Sequence, residues 1–373
     1  MTVPILTNTA ELAAFAEELT RFETIAVDLE ADSLHCYREK VCLLQFTTPE
    51  RTVLVDPLAV KDLSPLGPVL ADPGIRSLFH AADYDIRCLN RDFGFEVRGL
   101  FDTMIACQFL GEERVGLADV LGKYFGVELD KQFQRADWSR RPLPAEMVRY
   151  AAEDTRHLHP LAQLLEDRLA ARGRLAWVAE EFALLEQGRF AVNDGPFFLR
   201  FKGAGRLGPR QLAVLEALLA WRDGEARRRD CPLFKVVGNK PLLALAQSPP
   251  RTSRGIAAVE GISSRQADRY GKALLRAVDE ALALPEERLP VYPRSERRVR
   301  DAEVDARLAL LKKWRQAKAT ELELDPGVLI NNALLEELAR QRPQAEADLA
   351  EIPGLKDWQR RELGGEILER LTA

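Results

Sequence analysis

Cysteine and histidine are both scarce in this 373-residue chain, and neither is arranged for metal or disulfide chemistry. The five cysteines, Cys36, Cys42, Cys88, Cys107 and Cys231, form an odd set with no Cys-x-x-Cys pair, which argues against a disulfide framework and a thiolate zinc site. The four histidines are too scattered for a zinc cluster. No apolar run approaches the length of a membrane span, and the N-terminus lacks a basic region followed by an apolar core, so a cytoplasmic location is expected. An excess of positive charge is missing too. The net charge of −5 argues, for the chain as a whole, against a polyanionic partner. With 46% hydrophobic and 30% charged residues, what remains is an ordinary soluble chain of two or three domains.

Carboxylates, by contrast, occur in an informative order. Thr24-Ile25-Ala26-Val27 is a short β-branched, apolar run that reads as a strand buried on both faces, and Asp28 and Glu30 leave its end on one side, because side chains at i and i+2 share a face. Together they make half of a site for a hard cation such as Mg²⁺ or Mn²⁺. Asp-x-Glu also occurs at Asp223/Glu225 and Asp301/Glu303, but in charged, helix-patterned stretches where the pair reads as solvated. A second apolar strand runs into a helix through Phe79-His80-Ala81-Ala82-Asp83-Tyr84-Asp85. Here Asp83 suits an N-cap, and Asp85 falls in the first turn, where the helix dipole alone would also favour it. His80 reads as a satisfied histidine at a strand end, with substrate contact as the alternative. Tyr150 and Asp154 lie one turn apart on a single helix face within a segment from Pro144 to about Arg172 that has helical apolar spacing. No other tyrosine in the chain has an Asp four residues on.

Asp28, Glu30, Asp85, Tyr150 and Asp154, in this order, resemble the exonuclease domain of the DEDD superfamily, in the branch whose last motif is Tyr-x-x-x-Asp. Val41-Cys42-Leu43-Leu44-Gln45-Phe46, together with the stretch from Leu129 to Leu143 around Asp137-Trp138-Ser139-Arg140-Arg141-Pro142, brings the resemblance to the ribonuclease D family. The resemblance implies a mixed α/β, ribonuclease H-like fold, strands near 24–28, 41–47, 52–55, 76–81 and 98–102 being consistent with it. It further implies hydrolysis of RNA from single-stranded 3′ ends, tRNA and other stable precursors among them, with release of nucleoside 5′-monophosphates. Two divalent ions would be held by Asp28, Glu30, Asp85 and Asp154. Asp28, Glu30 and Asp154 would hold the ion that activates water, Asp28 would bridge to the second, and Asp85 would reach that one through water. Tyr150 would orient the attacking water. By position, Leu34 and Tyr84 match sites where related exonucleases contact the terminal nucleotides. The five residues themselves do not distinguish RNA from single-stranded DNA, and a catalytically inactive nucleic-acid-binding protein is the third reading.

The C-terminal half repeats itself. Trp221-Arg222 recurs as Trp314-Arg315, Gly261 as Gly354 and Gly271 as Gly364, all at an offset of 93. Each copy is patterned as a small helical domain and resembles the HRDC domain, two copies of which follow the nuclease domain in the ribonuclease D family. The expected organisation is an exonuclease domain over 1–175, a first repeat over 205–284, a Pro-rich and charged linker over 285–300, and a second repeat over 301–373. Charge separates the copies. Residues 1–170 hold 18 basic against 28 acidic residues, residues 200–276 hold 16 against 6, and residues 291–373 hold 15 against 16. An RNA-binding role is therefore expected of the first repeat, with Arg227, Arg228 and Arg229 as its densest cluster, and a structural role of the second. No protein partner is implied. Replacing the three arginines by Glu is expected to weaken binding of single-stranded RNA and to flatten its salt dependence in a filter-binding titration; unchanged affinity would dismiss the assignment.

Overall fold

The computed structural model describes residues 3–191, 194–293 and 301–372. The charged end of the expected linker, 294–300, lies outside them. The chain divides into two compact units, one of Met1–Ala31, Val41–Phe190 and Arg300–Ala373, the other of Asp32–Lys40 and Ala191–Val299.

The first unit is built on a six-stranded mixed sheet in the order β1-β4-β3-β2-β5-β6. Its strands are β1 (Ile5–Leu6), β2 (Thr24–Ala31), β3 (Val41–Thr47), β4 (Thr52–Val55), β5 (Arg76–Phe79) and β6 (Leu100–Asp102). β2 is central, antiparallel to β3 and parallel to β5, which explains why Ile25, Ala26 and Val27 are apolar on both faces. Its pairing with β3 shifts register between Glu30 and Ala31, an irregularity at the point where the carboxylates leave the sheet. Helices α1 (Thr9–Leu19), α2 (Leu66–Ala71), α3 (Asp83–Phe93), α4 (Thr103–Phe109), α5 (Leu117–Phe125), α6 (Ala145–Arg156), α7 (Leu158–Ala171) and α8 (Leu175–Leu185) accompany the sheet. The helical spacing from Pro144 to Arg172 thus covers two helices. The break at His157 follows from Pro160, whose ring would collide with the carbonyl of Arg156 in a continuous helix. Asp83 lies inside α3 and pairs with Arg87, so it does not cap the helix as expected.

Each repeat has five helices, and every helix of the second starts 93 residues after its counterpart. The first copy comprises α9 (Pro209–Arg229), α10 (Leu233–Val236), α11 (Asn239–Gln247), α12 (Ser253–Ala257) and α13 (Ser264–Leu282). The second comprises α14 (Ala302–Glu321), α15 (Pro326–Leu329), α16 (Asn332–Gln341), α17 (Glu346–Ala350) and α18 (Asp357–Thr372). The repeated residues make repeated bonds. Arg222 donates to the Val237 carbonyl at 3.1 Å and Arg315 to that of Ile330 at 2.7 Å, while Gln266 and Gln359 reach the carbonyls of Val236 and Leu329. Gly261 and Gly354 recur because both take positive φ, 90° and 82°, where a side chain would be strained.

The second repeat shares the hydrophobic core of the first unit. Trp358 stacks on Trp177 of α8 with ring centroids 4.8 Å apart and meets the edge of Phe109. Its indole N–H donates to Glu181, and the Glu180 carboxylate accepts the first backbone N–H groups of α18, those of Asp357 and Trp358. In the second unit, Asp32–Lys40, which follows β2 in the chain, packs with the first repeat. The Tyr37 hydroxyl donates to Asp223 at 2.7 Å, its backbone N–H donates to Asp230 at 3.1 Å, and its ring lies under Arg227. Asp223 and Glu225 are therefore partnered, Glu225 with Arg228, rather than merely solvated as their pattern suggested. Truncating the fully buried Trp358 to Ala is expected to destabilise the first unit by about 3–5 kcal/mol in urea denaturation, the usual cost of emptying a large aromatic site; a loss below ~1 kcal/mol would contradict the shared core.

Candidate active site

Two elements carry four of the five expected residues. Asp28 and Glu30 stand on one face of β2, and α6, which packs on β2 and β3, brings Tyr150 and Asp154 to that face. Thr47 of β3 and Thr155 of α6, both buried, fix the register of helix on sheet through a 2.7 Å hydroxyl contact. Asp85 comes from the first turn of α3 and is buried.

These carboxylates act on one another electrostatically. Burial, and then the charges of Asp28, Asp154 and Asp85, push Glu30 up to about 10. Burial raises Asp28 to about 7 against the opposing hydrogen bond from the Leu29 amide. Asp154 rises to about 8 through burial and the neighbouring Asp28. Asp85 is held well above the carboxylate range by burial, Asp28 and Asp102. Like charges in a poorly solvated site favour their neutral forms, and a cation among them reverses that preference. Among the described residues no three such side chains stand close enough to hold an ion as they are placed. The donor set is all oxygen, as hard divalent cations require, and leaves coordination positions for phosphate oxygens and water.

Tyr150 is held between the Phe133 and Trp138 rings, at centroid distances of 5.7 and 6.0 Å. Burial first, then Asp154, Glu30 and Asp28, raise its phenol further above neutrality, so it is a hydrogen-bond donor and not a base. The stretch from Leu129 to Leu143 is anchored by Arg141, which forms an ion pair with Asp56 and donates to the carbonyls of Cys42 and Trp138. Beside Tyr150 and Asp154 opens a cavity of about 130 Å³, lined also by Asp130, Lys131, Gln134 and Leu117.

Several contributors escaped the sequence reading. Asp102 is completely buried and accepts backbone N–H groups from Ala81, Ala82, Met104 and Ile105, tying the start of α3, and with it Asp85, to the end of β6. Its signal was an Asp-Thr pair at a strand end. Lys131 and Gln134 lie in a stretch that the sequence marked only as a resemblance. His80 meets Thr103 Oγ1 through Nδ1 (2.9 Å), and the Val115 backbone is a second hydrogen-bond neighbour. Leu34 and Tyr84 are partly exposed, at 39% and 38%. Tyr84 is adjacent to Asp85 on α3, whereas Leu34 belongs to the second unit. Arg227 and Arg228 have acidic partners, and Arg229 donates to the Tyr270 hydroxyl.

Comparison with known proteins gives consistent results. A family model described as 3′-5′ exonuclease matches residues 3–170, and one described as HRDC domain matches 211–278 and 304–371. The sequence is 33% identical over 368 residues to ribonuclease D of Granulibacter bethesdensis, covering 98% of this chain and 91% of that one. The crystal structure of Escherichia coli RNase D, described as an exoribonuclease involved in structured RNA processing, superposes with a TM-score of 0.76 at 28% identity over 100% of this chain and 99% of the other. The catalytic core of RRP6 from Trypanosoma brucei gives 0.65 at 32% identity, over 76% of this chain and 80% of that one.

A carboxyl whose folded-state pKa is raised contributes stability below its unfolded pKa, and that contribution is lost as pH rises through the folded value. With Asp28 near 7 and Asp154 near 8, the melting temperature in chelator is expected to fall between pH 5 and pH 9. Asp28→Asn should flatten that fall; an equally steep fall in the variant would contradict the assignment.

Proposed function

We propose a mechanism and a substrate class for this chain, which belongs to the ribonuclease D family and is a hydrolytic 3′–5′ exoribonuclease. Members of the family use divalent metal ions. Two such ions, Mg²⁺ or Mn²⁺, would be held here by Asp28, Glu30, Asp85 and Asp154, and when bound they supply electrostatic stabilisation of the attacking and leaving oxygens of the scissile phosphodiester. The observation that carries this reading is the placement of Asp28 and Glu30 on one face of β2, covered by α6 with Tyr150 and Asp154, which line a cavity, while Asp85 is buried in the first turn of α3.

Within that site the chain's own groups have separate tasks. Tyr150, protonated and wedged between Phe133 and Trp138, orients the attacking water through its hydroxyl. Asp102 keeps Asp85 in place by fixing the turn before α3. Lys131, at the rim of the cavity, offers a positive charge to the terminal phosphate. Tyr84, beside Asp85 on α3, contacts the terminal nucleotide through its ring, which tolerates any base. Arg227 and Arg228 exchange their acidic partners, and Arg229 the Tyr270 hydroxyl, for backbone phosphates when RNA binds the first repeat.

The substrates are single-stranded 3′ ends of RNA, including those of tRNA precursors, the products nucleoside 5′-monophosphates, and the place of action the cytoplasm. Among the described residues no helix is long and apolar enough to cross a membrane. End-labelled single-stranded RNA, single-stranded DNA and a 3′-extended tRNA transcript, each incubated with Mg²⁺ or Mn²⁺, test these points. A ladder from both RNAs that disappears in Asp28→Ala and Asp154→Ala is expected. Faster shortening of DNA would overturn the substrate class, and an untouched tRNA transcript would remove tRNA precursors from it.

A further inference from the structure

Gln45 stands at the centre of β3 with a carboxamide that is completely buried, yet neither Nε2 nor Oε1 has a hydrogen-bond partner among the described residues. Buried amides of native proteins nearly always find partners, because desolvating a donor and an acceptor without replacement is costly. An apolar residue of that size would fill the same space without the cost. The position therefore calls for a reason other than packing.

The strand register supplies one. Gln45 is the direct partner of Asp28 in the antiparallel β2–β3 pair, and directly opposed residues project to the same face with Cβ atoms about 5 Å apart. That face is covered by α6. Thr47, two residues on and on the same side, touches Thr155, while Leu43, two residues back, clusters with Met147 and Ala151. Gln45 thus lies beneath the turn of α6 that carries Asp154, beside the root of Asp28. A carboxamide there can turn about its last torsion with no bond to break.

We propose that Gln45 is a positioning residue for the carboxylates, its Nε2–H donating to Asp28 when that carboxylate engages a divalent ion, so that the Asp28 side chain is fixed in one rotamer. This rests on the reading of Asp28 as a metal-binding carboxylate. Groups that orient metal-binding side chains from behind typically change metal affinity or activity by about 10–100-fold when removed.

Three measurements on the full chain test it. Gln45→Met keeps the volume and removes both polar ends, and Gln45→Glu keeps the shape and removes the donor. For Gln45→Met the expected results are a melting temperature in chelator equal to or above that of the wild type, Mn²⁺ affinity by titration calorimetry lowered about 10-fold, and kcat on single-stranded RNA lowered about 10–100-fold with KM within twofold. Gln45→Glu should lower kcat likewise. A wild-type kcat and Mn²⁺ affinity in Gln45→Met would overturn the proposal, and so would a lowered melting temperature, which would make Gln45 a structural residue. Asp28→Asn separates the two claims: undiminished Mn²⁺ binding in that variant would remove the metal reading itself, whereas lost binding there with unchanged binding in Gln45→Met would remove only the role of Gln45.

Discussion

Four carboxylates gathered in a poorly solvated space repel one another, and much of the first unit is arranged to hold them there. Asp28 and Glu30 sit on the central strand of the sheet, which cannot shift without breaking pairs on both sides. Asp85 is held through Asp102, whose carboxylate collects four backbone N–H groups at the junction of β5, α3 and α4. Asp154 is held through Thr155 and the packing of α6 on β3. Backbone and hydrogen-bond rigidity therefore opposes the separation that electrostatics favours. The same crowding makes the site receptive to cations, since a divalent ion converts mutual repulsion into shared attraction.

The two helical repeats share key internal bonds and have different surroundings. The second has its tryptophan, Trp358, inside the core of the nuclease unit, with Glu180 and Glu181 of α8 satisfying its N-terminal amides, its indole and Lys356. It extends the scaffold, in keeping with its balanced charge. The first repeat has its own core and a large excess of basic residues, and it takes up Asp32–Lys40, the segment that follows the strand bearing Asp28 and Glu30. Through Tyr37 the arginine at position 227 has a partner of its own, so the basic surface is partly engaged within its domain.

Much of this was legible in the sequence, where the physics is local or periodic. Asp28 and Glu30 followed from alternation in a strand, Tyr150 and Asp154 from helical spacing, and the repeat from a constant offset of 93 that the helix starts reproduce. Less legible were features that depend on what lies across from a residue. Asp83 looked like a cap, but α3 starts without a side-chain cap, and Asp102, which caps α4, fixes the turn before α3 from nineteen positions away. Asp223 looked solvated, but a tyrosine from a remote segment binds it. The segment from Pro144 to Arg172 divides in two because a proline blocks the turn before it.

The sequence by itself determined the main elements, the order of the candidate carboxylates, the duplication and the family, because each is encoded in spacing along one strand, one helix or one repeat. Only the tertiary structure decided which neighbours those elements meet. It set Gln45 opposite Asp28, Asp102 behind Asp85, and Trp358 against Trp177. Such pairings join residues far apart in the chain, and strand register and helix packing fix them where local pattern carries no signal.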